Sequence, residues 1–457
     1  MDTTGSINAA ACDTIENDEG LDEVLDDSEE KELVTDSCST KVLDITEEPR
    51  DRYNVVYFLF YLFGITSLVP WNFLITANDY WMYKFRDTTP KNLTVLEVTK
   101  TQFQAEFTSY LNVATAIPNL IFLILNFLYG HLVSVKSRLQ GSLVVVTLCF
   151  LLTTSLVQVD TDEWQNTFFI ITMVTVVVVT AASAIFIGGI VGIASRFSKE
   201  YMGAIVSGQS LGGIIAAVAQ IISLAFNMSP LHSALIYFAI ADIMVISSLI
   251  SYVLLYKIDF FTYHILRGSG GIASNRHREV SITLILKKVW VYAFSIFAVF
   301  GISMCVYPAV TVLVQSHPVT KGTIWNTKFF VPVVNYLIFN CGDYAGRLVA
   351  GFLLRPTNQW LIAGASVLRI IGVPMLMLCN AQPRSHLPVI FLWDWEYIII
   401  MIVFAFTNGY LTNIVMINST RVVDVHEQEK ASSVIVTMLS VGLTVGAAVG
   451  MLLVRLL

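Results

Sequence analysis

Eleven stretches of about 20 mostly apolar residues follow one another through this chain, and that repetition leaves few folds open. A helix of that length spans the hydrocarbon core of a bilayer. In hydrocarbon only helices and closed barrels satisfy every backbone polar group. The segments lie near 54–77, 109–130, 139–158, 168–193, 204–226, 234–256, 289–314, 329–353, 360–379, 397–417 and 431–454. Only 13% of the residues are charged, against about a quarter in a soluble domain. That deficit excludes an ordinary globular enzyme. The fold expected is an all-α membrane protein with eleven transmembrane helices.

The charges are unevenly placed. Residues 1–52 hold 17 acids and 4 Lys/Arg, while the remainder of the chain carries a net charge of +6. Runs such as Asp26-Asp27-Ser28-Glu29-Glu30 repel themselves and bury nothing, so 1–52 is expected to be a disordered acidic tail. The chain opens without a basic region followed by an apolar run, so no cleaved signal peptide is expected. Glu29 to Val34 loosely resembles an acidic dileucine signal, but a solvated tail is the simpler reading.

Counting Lys and Arg in the loops orients the spans. With the tail in the cytoplasm, the inside loops hold 13 bases and the outside 8. The longest inside loop, 257–288, has six bases and two acids; it should face anionic headgroups. It divides the body into halves of six and five helices, 53–256 and 289–457. The sequon Asn92-Leu93-Thr94 falls in the first outside loop, where glycosylation is possible. Asn227-Met228-Ser229 lies in a short outside loop before Pro230, and Asn418-Ser419-Thr420 would be inside and unused. The six cysteines (Cys12, Cys38, Cys149, Cys305, Cys341 and Cys379) suggest no disulfide framework. Metal-ligand spacing, nucleotide-binding glycine loops and nucleophile motifs are lacking, so no cofactor is expected.

Four ionisable residues fall inside spans: Asp242, Asp343, Arg347 and Arg369. Each costs about 2.5–3.5 kcal/mol at a helix centre on insertion scales, so each should face protein or an aqueous cavity. Asn340, Asp343 and Arg347 are spaced i, i+3, i+7 and share one helical face. Gly342 and Gly346 sit to one side, where a neighbouring helix could approach closely. The polar face has zero net charge, which suits a neutral, hydroxyl-rich solute. A structural ion pair holding helices together has equal weight from spacing alone. Asp242 and Arg369 read first as scaffold, with Asp242 either pairing with Arg369 or reaching water. Gly188/Gly192, Gly208/Gly212 and Gly442/Gly446/Gly450 read as packing patterns. Pro70-Trp71-Asn72 predicts a helix interruption in the first span.

Several of these motifs, in order, resemble the equilibrative nucleoside transporter family (solute carrier family 29). They are Pro70-Trp71-Asn72-Phe73, Ser207-Gly208-Gln209-Ser210-Leu211-Gly212-Gly213, Phe339-Asn340 through Asp343 to Gly346-Arg347, and Asn408-Gly409-Tyr410-Leu411. The match runs from about Tyr53 to the C-terminus. Val157 to Trp164, Lys328 to Pro332 and Cys379 to Arg384 look closest to a branch with lysosomal members. The resemblance implies facilitated diffusion of nucleosides, and sometimes nucleobases, through a major-facilitator-like 6+5 bundle. It implies ribose contacts from Asp343 and Arg347 with Asn340 nearby, Trp71 lining the cavity, and Leu68 and Leu443 around the base. Ile187 stands where some members have a base-reading Gln, which puts purine preference in doubt. Asp242 falls where an uncharged residue is expected.

The expected partners are therefore a nucleoside and the lipid bilayer, without nucleic acid, and the chain is expected to act as a monomer. The plasma membrane is the expected location, with the late endosome or lysosome as the alternative. Competing readings are a carrier for another neutral polyol, a proton-coupled nucleoside carrier, and a channel or receptor. The lack of a pore-loop pattern and the eleven spans argue against the last two classes.

Overall fold

The computed structural model of the chain describes residues 49–86, 102–226, 229–265, 282–317, 323–382, 386–424 and 427–457. Asn92, the acidic tail to residue 48, and half of the basic loop lie outside the described residues. The architecture is helical: α1 (Val55–Thr76), α2 (Asn78–Lys84), α3 (Gln102–Tyr129), α4 (Val135–Val157), α5 (Gln165–Ala194), α6 (Lys199–Ala225) and α7 (Pro230–Leu255) form the first half. The second contains α8 (Ile282–Val306), α9 (Ile338–Leu353), α10 (Gln359–Leu368), α11 (Gly372–Met377), α12 (Asp394–Arg421) and α13 (Gln428–Leu456). Among the described residues, nine helical segments are long and apolar enough to cross a membrane. The other two expected spans fall on α3, whose apolar stretch is Val113–Tyr129, and on the segment ending in α9.

Local sequence sets the helix ends. Ser134 caps α4 by accepting from the Ser137 amide at 3.2 Å. Ser229 caps α7, with Pro230 in the first turn, where its missing N–H costs nothing. Asp51 accepts from the amides of Val56 and Tyr57 at 3.1 Å each, and from the Tyr201 hydroxyl at 2.9 Å. The packed body thus starts two residues before the expected boundary at 53. Lys288 donates to Glu427 at 2.6 Å, so this base of the 257–288 segment is committed to protein.

The interruption expected at Pro70 is not found, since α1 runs unbroken through it. Proline there removes a single N–H donor, which one tightly packed helix tolerates. The breaks come elsewhere. Before α9, residues Trp325–Phe329 and Val331–Leu337 wind as π-helix. Between α10 and α11, residues Arg369–Ile371 form a 3₁₀ turn. Pro374 lies four residues beyond Ile370 and denies that carbonyl its helical donor, which accounts for the tightened turn.

Three apolar clusters hold the bundle. One is shared by both halves and lies toward the end where α1 begins, here called the tail end; it includes Phe60, Phe63, Leu139 and Val191 with Ile285, Val289, Ile414 and Ile435. At the far end each half has its own: Phe73, Trp81, Phe150 and Phe238 in the first, and Val310, Phe330, Leu376 and Tyr397 in the second. The outer surface presents large apolar side chains such as Leu148, Ile170, Ile243 and Leu361. In water that much exposed apolar area would drive aggregation; in hydrocarbon it costs nothing.

Glycines bring some helices into backbone contact. A Cβ on Gly442 would lie 2.7 Å from the Phe297 carbonyl oxygen of α8. One on Gly409 of α12 would lie 2.7 Å from the Asp343 carbonyl carbon of α9. Gly141 on α4 has nothing within 4 Å. Gly409→Ala should therefore lose about 1–3 kcal/mol of stability through overpacking, while Gly141→Ala should gain about 0.5–1 kcal/mol from helix propensity. Thermal unfolding of the two purified variants checks this, and a Gly409→Ala variant as stable as wild type would refute the contact at Gly409.

Candidate functional site

The polar cluster starts at Asp343, which α9 buries to 4% exposure. Its Oδ2 accepts from Arg347 Nε at 2.8 Å, one turn along the same helix. The same oxygen accepts from the Ser210 hydroxyl of α6. Its Oδ1 accepts from Asn408 Nδ2 of α12 at 2.7 Å. Arg347, equally buried, donates through Nη1 to the Val206 carbonyl and, at 3.1 Å, to Gln209 Oε1, both on α6. The Arg347 carbonyl accepts from Asn413 Nδ2 at 2.6 Å. Thus the carboxylate and guanidinium bridge α9 to the opposite half. Gly342 and Gly346 face α12, as their spacing suggested: a Cβ on Gly342 would come within 2.9 Å of the Ala405 Cβ.

The cluster extends further than spacing along one helix could show. Arg369, at the 3₁₀ turn, donates through Nη1 to Asn408 Oδ1 at 3.0 Å. Its Nη2 reaches Ser303 Oγ at 3.0 Å and the Phe404 carbonyl at 3.1 Å. Its guanidinium carbon sits 4.7 Å from the centre of the Phe404 ring, a cation–π contact. Arg369 therefore does not pair with Asp242. That residue lies in the other half, where Oδ2 accepts from Thr154 at 2.7 Å and Oδ1 has no hydrogen-bond partner among the described residues. Spacing could not foresee this, because partner choice depends on which helices meet. With one carboxylate and two guanidinium groups, the cluster carries +1 rather than the zero expected from Asp343 and Arg347.

The other expected site residues are placed less directly. Asn340 donates to the Tyr336 carbonyl of its own segment at 2.9 Å. It fills the space beside Gly213 of α6, where a Cβ would lie 2.6 Å from its Cγ. Leu68 and Trp71 lie three residues apart on α1, and Leu443 lies on α13; all three are half-buried. None of the contacts described above joins them to Asp343 or Arg347. Ile187 is half-buried and packs on the tail-end cluster. Ser210, Gln209, Ser303 and Asn408 have no role readable from spacing, although three of the four fall in or beside motifs already noted.

Polar contacts also tie the halves together between the bundle's middle and its tail end. Arg196 meets Glu429 at 2.6 Å, Asn119 donates to Ser440 at 2.8 Å, and the Tyr61 and Tyr344 hydroxyls are 3.3 Å apart. These contacts and the shared apolar cluster lie on the same side.

Two helical halves meeting around a buried polar cluster define a class, the two-domain membrane carrier. The solved structures bear this out at the level of fold. The major facilitator superfamily transporter FucP in its outward conformation matches with a TM-score of 0.53 and 14% identity, covering 88% of this chain and 97% of that one. The proton:xylose symporter XylE matches with a TM-score of 0.54 and 11% identity, covering 88% and 93%. Sequence supplies the rest. The family described as "Nucleoside transporter" matches residues 173–279 and 271–455. Human equilibrative nucleoside transporter 1 is 32% identical over 448 residues, covering 88% of this chain and 97% of that protein. Rat equilibrative nucleoside transporter 3 is 31% identical over 436 residues, covering 89% and 90%. The chain belongs to the equilibrative nucleoside transporter family, a family of transporters.

The net charge yields a test of stability. Removing Asp343 leaves two buried guanidinium groups without an anion, whereas removing Arg347 leaves Asp343 linked to Arg369 through Asn408. Breaking a buried pair costs about 3–5 kcal/mol. Asp343→Ala should therefore be the more destabilised of the two by about 1 kcal/mol or more, measured by unfolding in detergent. Equal losses would mean that Arg369 does not sense the carboxylate.

Proposed function

We propose that this chain carries nucleosides such as adenosine and uridine across a membrane by facilitated diffusion. The observation that carries the reading is the position of Asp343 and Arg347: buried on α9 and hydrogen-bonded across the boundary between the halves. A carboxylate and a guanidinium offer an acceptor and several donors, the set that adjacent ribose hydroxyls require. In this reading the ribose replaces the Ser210 hydroxyl and Gln209 amide as partner. Trp71, Leu68 and Leu443 cover the planar base, with Asn340 alongside. Exchange of partners would break ties between the halves and let them rock, exposing the site alternately. The shared tail-end core and the separate far-end cores support a state closed at the tail end.

The finer reading places the tail in the cytoplasm, eleven spans in the bilayer, and the chain as a monomer at the plasma membrane with Asn92 glycosylated. No covalent chemistry and no nucleic acid enters the cycle. The likeness of Val157 to Trp164, Lys328 to Pro332 and Cys379 to Arg384 to a branch with lysosomal members supports late endosomes or lysosomes as the second location, and imaging of the tagged full chain separates the two.

Uptake of radiolabelled nucleosides into proteoliposomes, with and without a pH gradient, tests the function. Saturable flux well above empty vesicles is expected, collapsing to background in Asp343→Ala and Arg347→Ala at equal reconstituted protein. Full flux in both variants would return the pair to a scaffold role.

A further inference from the structure

We infer that Arg369 is a positioning residue that acts through Asn408 to hold the Asp343 carboxylate as an acceptor for a substrate hydroxyl; this rests on the nucleoside reading above.

The argument starts from hydrogen-bond inventory. A guanidinium carries donors and no acceptor. Arg369 Nη1 faces Asn408 at 3.0 Å, so the amide must turn its oxygen toward Arg369. Its NH₂ then has one direction left, toward Asp343 Oδ1, where the distance is 2.7 Å. Without the cation, either end of the amide could face the carboxylate. Oxygen facing oxygen would expel the charge or demand a proton on Asp343, turning an acceptor into a donor. Arg369 is itself fixed. Ser303 Oγ and the Phe404 carbonyl hold Nη2, and the Phe404 ring lies against the guanidinium. Ser303 reinforces the amide, lying 2.7 Å from Asn408 Oδ1. The chain of contacts runs from the 3₁₀ turn through α12 to α9, ending on the carboxylate oxygen that Arg347 and Ser210 do not use.

This arrangement assigns different duties to the two arginines. Arg347 shares Oδ2 with Ser210 and reaches the opposite half, so it changes partners as the halves move. Arg369 stays within its own half and keeps Oδ1 supplied throughout. A carboxylate held as an acceptor selects for a ligand that donates, namely ribose hydroxyls over a sugar lacking them.

The test compares uridine with 2′,3′-dideoxyuridine, measuring KM and Vmax in proteoliposomes for wild type, Arg369→Lys, Arg369→Met and Asn408→Leu. Wild type should favour uridine. In Arg369→Met the KM ratio between the two nucleosides should fall by about tenfold, the size expected when one hydrogen bond to a charged acceptor is lost. Arg369→Lys, which still offers a donor to Asn408 Oδ1, should retain more of the ratio. Asn408→Leu, which keeps Arg369 but cuts the relay, should match Arg369→Met and decides the matter if that variant fails to fold. A purely structural role predicts lower Vmax for both nucleosides at an unchanged ratio, and that result in Arg369→Met or Asn408→Leu overturns the inference. Wild type that discriminates while both variants keep its ratio sinks the inference alone; wild type without saturable uridine uptake sinks the nucleoside reading itself.

Discussion

Burying one carboxylate in hydrocarbon obliges the rest of the bundle to answer it. Left unpaired at that depth, Asp343 would cost several kcal/mol as an ion or take up a proton and cease to be a pure acceptor. It draws donors from α6, α9 and α12, and indirectly from the turn at Arg369. Those donors come from both halves. The packing that brings them together therefore also fixes how the halves meet. The glycines that let α12 lie against α9 are part of the same requirement, since Asn408 reaches Oδ1 only if the helices touch.

If the cluster binds substrate as proposed, a stability device and a binding device coincide here. Each partner of the Asp343–Arg347 pair contributed by the opposite half is a hydroxyl, a carbonyl or an amide, never a charge. Such hydrogen bonds, each with one charged and one neutral partner, are worth about 1.5–3 kcal/mol net. A substrate with similar groups can replace them at little cost, whereas an opposing ion would have locked the halves. An ion pair between the halves, Arg196 to Glu429, sits away at the tail end.

Much of this was legible in the sequence. Because hydrocarbon thickness imposes a length that composition reveals, the apolar runs located most of the long helices closely, though α3 and α8 begin seven residues earlier than expected. Asp343 and Arg347 stood out for a related reason: charges at such depth are costly and need a use. What remained hidden was which helices meet and which side chains pair across them. The i, i+3, i+7 rule reports one helix's own face, so it found Asn340 beside Asp343 but not Asn408 opposite. It left Arg369 looking for an acid and offered Asp242, whereas the folded chain gave it an amide and a hydroxyl. Pro70 was misread because proline in a tightly packed helix costs one bond, while the real breaks arose at π turns and at Pro374.

The contact at Gly409 has a mechanical consequence. With the α12 backbone seated on the Asp343 carbonyl, there is no room for one helix to slip past the other without unseating main-chain atoms. The two helices behave as a single strut. Asp343, its Asn408 partner and the Arg369 behind it would travel as one rigid cartridge, so the geometry that reads a ligand survives the stroke while its ties to the other half are made and broken.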